Sequence, residues 1–234
     1  MIYIVRMRIF TVFFFWLLML ALPLPLWGQS AQELLPKVAE ALSGGRDDYA
    51  VSLFRQSAKA DAERAEMFYW TRVDKNGEAV PRLARELASR YRDLHNFDKA
   101  YLFCQEFLQR RPNEVPVLAL CAEMQLMRGK EKDALRLYEK VLAMDADHLQ
   151  ANIFLGNYFF LQAEKEKKAL EEDYRKIASP TRMQYARYRN GLSDIFTRTY
   201  SKARVYLQRV MSLFPSTEAG RTLEKIQRLE EEMR

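Results

Sequence analysis

The sequence predicts an all-α protein, an α-solenoid of stacked helical hairpins whose last repeat has lengthened helices forming a protruding hairpin. Three observations carry that expectation. Gly and Pro are sparse, eight of each in 234 residues, while the good helix formers Ala, Leu, Glu, Lys, Arg and Gln dominate. Small and apolar residues recur at a spacing of 34. The last recurrence is interrupted, because its second half arrives 35 residues late.

Residues 1–28 read as a secretory signal. Arg6 and Arg8 precede an apolar run over 9–22 broken only by Thr11, and Pro23, Pro25, Trp27 and Gly28 follow. Gly28 supplies the small residue a signal peptidase needs, which puts the mature start at Gln29, with Ser30 as the competing position; Met7 is a second candidate initiator. An uncleaved segment would instead tether the chain to a membrane. The expected location is the bacterial cell envelope, in the periplasm. Without Arg6 and Arg8 the chain keeps 35 basic against 31 acidic residues, an ordinary surface with no concentrated basic face for nucleic acid.

From Ser30 to about residue 42 a helix is expected, opened by Ser30 with Glu33 as a capping box and broken by Ser43, Gly44 and Gly45. A second helix over about 47–59 carries Ala50 and Phe54 where a hairpin's second helix would place them, and an extra helix over about 61–73 carries Met67, Phe68, Tyr69 and Trp70. Asp74, Lys75, Asn76 and Gly77 then turn the chain.

The recurrence begins at residue 81. Leu87, Cys121 and Leu155 are 34 apart, as are Ala88, Ala122 and Gly156, and Tyr91, Gln125 and Phe159. Ala100 and Ala134 repeat on a second helix, and Pro112, which cannot continue a helix interior, ends it. Small residues are needed there because antiparallel helices approach closely only where one offers a small side chain. This pattern resembles the tetratricopeptide repeat, an aromatic or large residue followed by Leu-Gly-x-x-Tyr, Ala-x-x-x-Phe and Pro over 34 residues. Residues 81–114 match through Leu87, Ala88, Tyr91, Ala100 and Pro112, with Cys104 in the Phe position; 115–148 match more loosely, and Leu155, Gly156 and Phe159 open a third unit over 149–215. Residues 29–80 form a degenerate hairpin plus extra helix, and 216–234 a charged capping helix of the kind stacked repeats need.

The insertion in 149–215 reads as two lengthened helices folded about Ser179 and Pro180, with Ser179 capping a helix that Pro180 starts. Folding back at that point sets Ile177 against Met183, Tyr174 against Tyr185, Leu170 against Tyr188, and Ala163 near Ile195 and Phe196. Asn190 and Gly191 fall within the second helix, which leaves a hinge or a helix end open there. Nine basic or tyrosine side chains (Arg182, Tyr185, Arg187, Tyr188, Arg189, Arg198, Tyr200, Lys202 and Arg204) oppose one acid of their own segment, Asp194, so two arrangements are open: the arm docks an acidic protein or an anionic envelope surface, or it packs back on its own repeats with its tyrosines in that contact and its arginines solvated.

No catalytic constellation is present: no HExxH, no GxSxG, no glycine-rich phosphate loop, no Cys-His pair. His95 and His148 fall between helices, and Asp145, Asp147 and His148 lack metal-ligand spacing. Export permits a disulfide, but Cys104 and Cys121 read as buried apolar residues. The expected protein is therefore not an enzyme, takes no cofactor, metal or small-molecule substrate, and works as a protein-interaction scaffold; a glycan-binding role would need Trp70 and its neighbouring tyrosines exposed on one concave face. The family resemblance implies that first helices line that face. Its positions fall on Arg82, Arg85, Ser89, Arg92 and Asp93, then Pro116, Ala119, Glu123, Leu126 and Met127, then Gln150, Ile153, Asn157, Phe160 and Leu161. Such a groove is basic at one end and apolar further on, suited to an amphipathic helix or extended segment with an acidic end, the alternative being that the chain's own first helices cover it.

Overall fold

A computed structural model describes residues 30–233, so the expected signal segment and its cleavage point lie outside the described residues. Every regular element among the described residues is helical. α1 (Ala31–Ser43), α2 (Asp47–Ala60) and α3 (Ala62–Thr71) precede α4 (Val80–Asp93) and α5 (Phe97–Arg110), α6 (Val115–Met127) and α7 (Glu131–Met144); α8 (Leu149–Arg175), α9 (Arg182–Ile195) and α10 (Ser201–Leu213) follow, and α11 (Thr217–Met233) ends the chain. Consecutive helices pack as antiparallel pairs, α1 on α2, α4 on α5, α6 on α7, and α8 on α10.

The first three pairs close with one device. Gly45, His95 and Gly129 hold left-handed φ angles of 66°, 57° and 74°. After each, a backbone N–H reaches back to the preceding helix, Arg46 to Ala41, Asn96 to Tyr91 and Lys130 to Gln125. This left-handed cap satisfies carbonyls that the helix end leaves open. At the pair faces the recurring positions are sealed: Leu87, Ala88, Ala122 and Leu155 are fully buried, and Gly156 lets Leu207 of α10 come so near that an added Cβ would stand 2.8 Å from it.

Ion pairs fix the direction of the early helices. Asp48 meets Arg82 at 2.5 Å, and Arg55 donates from Nε and Nη2 to the two carboxylate oxygens of Glu86 at 2.7 and 2.8 Å, so α2 and α4 run side by side and parallel. α3 is likewise parallel to α5, since Lys99 reaches Glu66 at 2.7 Å and Tyr69 meets Phe103 edge-on at 5.5 Å. α2 thus closes a hairpin with α1 and also runs in the phase of a first helix. Ser30 stands at the start of α1 with extended backbone but makes no side-chain cap, so the expected capping box with Glu33 is not formed.

The insertion is two lengthened helices, with three corrections. α8 has 27 residues against the 13 of α6, roughly 20 Å more helix at 1.5 Å per residue. The returning helix starts after Thr181, not at Pro180, because Thr181 and Gln184 cap each other reciprocally. Gly191 neither hinges nor ends α9; it accepts Leu170, whose methyls lie 2.9 and 3.2 Å from where a Cβ would be. Along the seam Tyr174 meets Tyr185 at 6.4 Å, as expected, but Tyr188, expected against Leu170, stacks on Tyr174 at 4.5 Å and 16°. Between α9 and α10, residues Phe196–Tyr200 form one π-helical turn. Its extra residue turns the face carrying Leu192 and Ile195 into register with the one carrying Ala203, Leu207 and Val210, all buried. α11 packs along α10 and also touches α9.

Candidate partner-binding face

Parallel packing of α2 on α4 opens a cleft of about 320 Å³ lined by Arg55, Ala58, Lys59, Arg85, Glu86, Ser89, Arg90 and Asp93. Its walls occupy corresponding positions: Arg55, Ala58 and Lys59 precede Ser89, Arg92 and Asp93 by 34. The sequence pattern does not mark Arg55 and Lys59, because 47–60 carries no Leu-Gly and places Ala50 and Phe54 as a hairpin's second helix would. Counting 34 back from Ser89 and Asp93 finds them. α1 contributes nothing to the lining.

Of the residues expected on this face, Arg82 pairs with Asp48 and Arg92 with Asp93 at 3.1 Å, while Arg85 is exposed. Pro116 and Gln150 are exposed, Glu123 and Asn157 half-buried, and Ala119 buried. Leu126, Met127, Ile153 and Leu161 stand 37, 53, 40 and 64% exposed, an unusual outlay of large apolar side chains on two successive first helices. Phe160 departs from expectation. It belongs to the apolar cluster at the arm's root, where its ring meets Tyr200 at 6.1 Å.

The arm's basic strip is largely spoken for. Arg189 donates to the carbonyl oxygens of Glu232 and Met233 at 3.2 and 2.6 Å, Arg198 to Glu166 at 2.6 Å and Arg204 to Glu230 at 2.7 Å. Tyr200 donates its hydroxyl to Glu164, which together with burial pushes the phenol's pKa up, and Lys202 lies over the Phe159 ring at 5.3 Å. The acids come from α8 and α11, helices that a count along the returning segment alone leaves out. Arg182, Arg187, Met183 and Tyr185 remain exposed near the tip.

Among the described residues, aromatic rings do not gather on an open face. Trp70, on α3, is 41% exposed, but Tyr69 and Phe103 take its ring contacts at 5.0 and 5.6 Å, and the Lys75 ammonium sits 4.5 Å from it. Burial lowers the Lys75 pKa to about 8. Tyr69, Tyr91 and Tyr138 are buried, which removes the surface that a sugar ring would stack on. His148 caps α8 by accepting from the Ala151 N–H at 3.3 Å, Asp147 pairs with Arg209, and Asp145 accepts from the Asp147 N–H at 3.1 Å. Cys104 and Cys121 are free, buried thiols, and burial raises both pKa values, that of Cys121 to about 12. No helix among the described residues is long and apolar enough to cross a membrane.

Among solved structures, a protein of Bacteroides ovatus ATCC 8483 provisionally described as a protein-binding protein is 58% identical to this chain. The match covers 88% of this chain and all of that one, with a TM-score of 0.79. MamA (16% identity, 86% of this chain and 92% of that one, TM-score 0.38) and TTC0263, a thermophilic tetratricopeptide-repeat protein of Thermus thermophilus (14%, 86% and 98%, 0.33), also align. No protein-family profile matches the chain, and no curated protein matches it.

Proposed function

We propose that this chain, which belongs to the family of the Bacteroides ovatus protein and is a solenoid of tetratricopeptide-type hairpins, is a non-catalytic scaffold that holds another protein on its first-helix face in the bacterial cell envelope. The observation that carries this is the set Leu126, Met127, Ile153 and Leu161, apolar and exposed on the successive first helices α6 and α8. Methionine and leucine adapt to varied apolar partners, as a surface that grips a helix or extended segment requires. The signal-like residues 1–28 support export, and the release of a mature form beginning at Gln29 or Ser30 is the matching expectation, read by mass spectrometry of the fractionated protein.

Site-directed photocrosslinking tests the face. Probes at Met127 and Ile153 should yield discrete adducts in cells, and probes at the exposed Val205 on α10 should not. Equal labelling at all three positions would remove the assignment. Exchange of Leu126 and Leu161 for Ser should weaken the adducts at both probe positions without lowering the melting temperature, since neither is buried.

A further inference from the structure

Resting on that reading of the first-helix face, we infer that the cleft between α2 and α4 seats side-chain carboxylates of an acidic stretch in the bound protein segment, with Lys59 and Arg85 as the gripping cations. The acids that line the cleft are already matched, Glu86 held bidentately by Arg55 and Asp93 by Arg92, and Asp48 nearby on α2 is held by Arg82. Arg90 spends its guanidinium on the carbonyl oxygens of Ala58 and Lys59 at 3.2 and 3.1 Å, where α2 ends. Lys59 and Arg85 are left, one on the α2 wall and one on the α4 wall of the cleft, both exposed and without an ion-pair partner among the described residues.

A cleft whose own carboxylates are neutralised and whose two spare cations stand on opposite walls attracts a negatively charged group. Two cations so placed favour more than one carboxylate, and the Ser89 hydroxyl adds a donor between them. The ligand is macromolecular because the cleft does not end the face. Its α4 wall corresponds in the repeat to Ala119, Glu123 and Met127 of α6, and from there to Ile153, Asn157 and Leu161 of α8. Neighbouring helices lie about 10 Å apart, so a segment of three or four turns, or a shorter extended one, reaches from the cations to the apolar side chains. The partner motif is then acidic at one end and apolar at the other.

The test immobilises the mature full-length protein and passes over it a pool of 12-residue peptides, amidated at the C-terminus, each carrying two or three adjacent Asp or Glu before an apolar stretch. A matched pool has Asn and Gln in the acidic places. Preferential retention of the acidic pool is expected, with affinity of the retained peptides falling at least tenfold between 50 and 200 mM salt, as roughly expected for contacts made by several charges. K59Q and R85Q together should cost at least tenfold and flatten that salt dependence, whereas R182Q with R187Q on the arm should change nothing. Equal retention of the two pools, or full binding by the K59Q/R85Q protein, overturns the inference. A requirement for a free C-terminal carboxylate, or displacement by millimolar inorganic phosphate, overturns it in favour of another anion. Serine at Leu126 and Met127 separates the two levels: binding lost there but kept in K59Q/R85Q sinks the cleft and leaves the face, and binding kept in both sinks both.

Discussion

The stacked hairpins and the arm that grows out of the last one are built alike, as antiparallel helix pairs, yet are held together in different ways. In the stack one apolar cluster runs from Leu34 on α1 to Met124 on α6, and a second continues from Leu118 on α6 through α7 to Leu155 on α8. In the arm, burial stops at the root: α8 has no buried residue after Ala163, and α9 buries only Leu192 and Ile195. What continues outward is a half-buried Leu170 on Gly191, the Tyr174–Tyr188 stack and an α11 terminus tied to Arg189. Each fully buried large side chain contributes about 1.5–3 kcal/mol, so the stack is stabilised by its core, while the outer arm depends on a few contacts of a few tenths to about 1.5 kcal/mol. The same hairpin geometry therefore yields a rigid body and a limb that opens at low cost.

The largest contrast lies in two leucines with the same neighbour. Leu207 and Leu170 each lie against a glycine of the opposite helix, but Leu207 is 2% exposed inside the repeat and Leu170 only half-buried. Leu207→Ala should destabilise by about 2–5 kcal/mol, through lost transfer energy and an unfilled cavity, and Leu170→Ala by less than about 1.5. Chemical denaturation measures both. Equal losses would mean that the arm shares the core of the stack.

Next in size is a matched pair of carboxylates. Glu66 accepts from both Tyr91 and Lys99, and its side chain is 16% exposed; Glu164 accepts from Tyr200 on an exposed stretch of α8. Glu66→Gln removes a charged acceptor from two donors and should cost about 1–2 kcal/mol, against under about 1 for Glu164→Gln. A larger effect at Glu164 would place the more important joint at the arm's root.

The glycines themselves sharpen the point. A methyl added at Gly156 would stand 2.8 Å from the enclosed Leu207, and one at Gly191 would stand 2.9 Å from a leucine free to rotate toward solvent. Alanine gains up to about 1 kcal/mol of helix propensity at either place, while overpacking costs about 1–3 where nothing can yield. Gly156→Ala should thus be net destabilising and Gly191→Ala neutral or better, as read from melting temperatures; a reversed order would show that the α8–α9 seam is the tighter one.

These residues also show what was legible. Leu87, Ala88, Ala122, Leu155, Ala203, Leu207 and Val210 were found from spacing alone because a stack repeats its burial, and repeated burial writes a period into the chain. Such a period says little about charge. Arg55 and Lys59 keep the 34-residue phase on a helix that lacks the usual small-residue signature, so their place on the face follows only from the pairing of Asp48 with Arg82 and of Arg55 with Glu86. Gly191 misled for a related reason: a glycine reads as a break, and its use as room for Leu170 depends on a register that two long polar helices hardly specify. The same weak register hid the acids on α8 and α11 that engage Arg198 and Arg204.

The smallest effect tests the tie between α11 and the arm. Arg189 reaches the last carbonyls of α11, groups that no intrahelical N–H satisfies, and thereby fixes the C-terminal end of that helix to α9. Earlier along α11, Ala219 and Ile226 are buried in the cluster that holds the arm's root, so the helix itself remains seated without this contact. Arg189→Ala should lower global stability by no more than about 0.5 kcal/mol, the usual scale for an exposed polar contact. Local opening is the more sensitive readout. Amide hydrogen exchange should quicken in the last turn of α11 and over the outer part of α9, with no change in α4 to α7. Unaltered exchange in α9 would mean that the arm is held by its own seam with α8 and owes nothing to the C-terminal helix; faster exchange across the whole stack would mean that arm and repeats open as one unit.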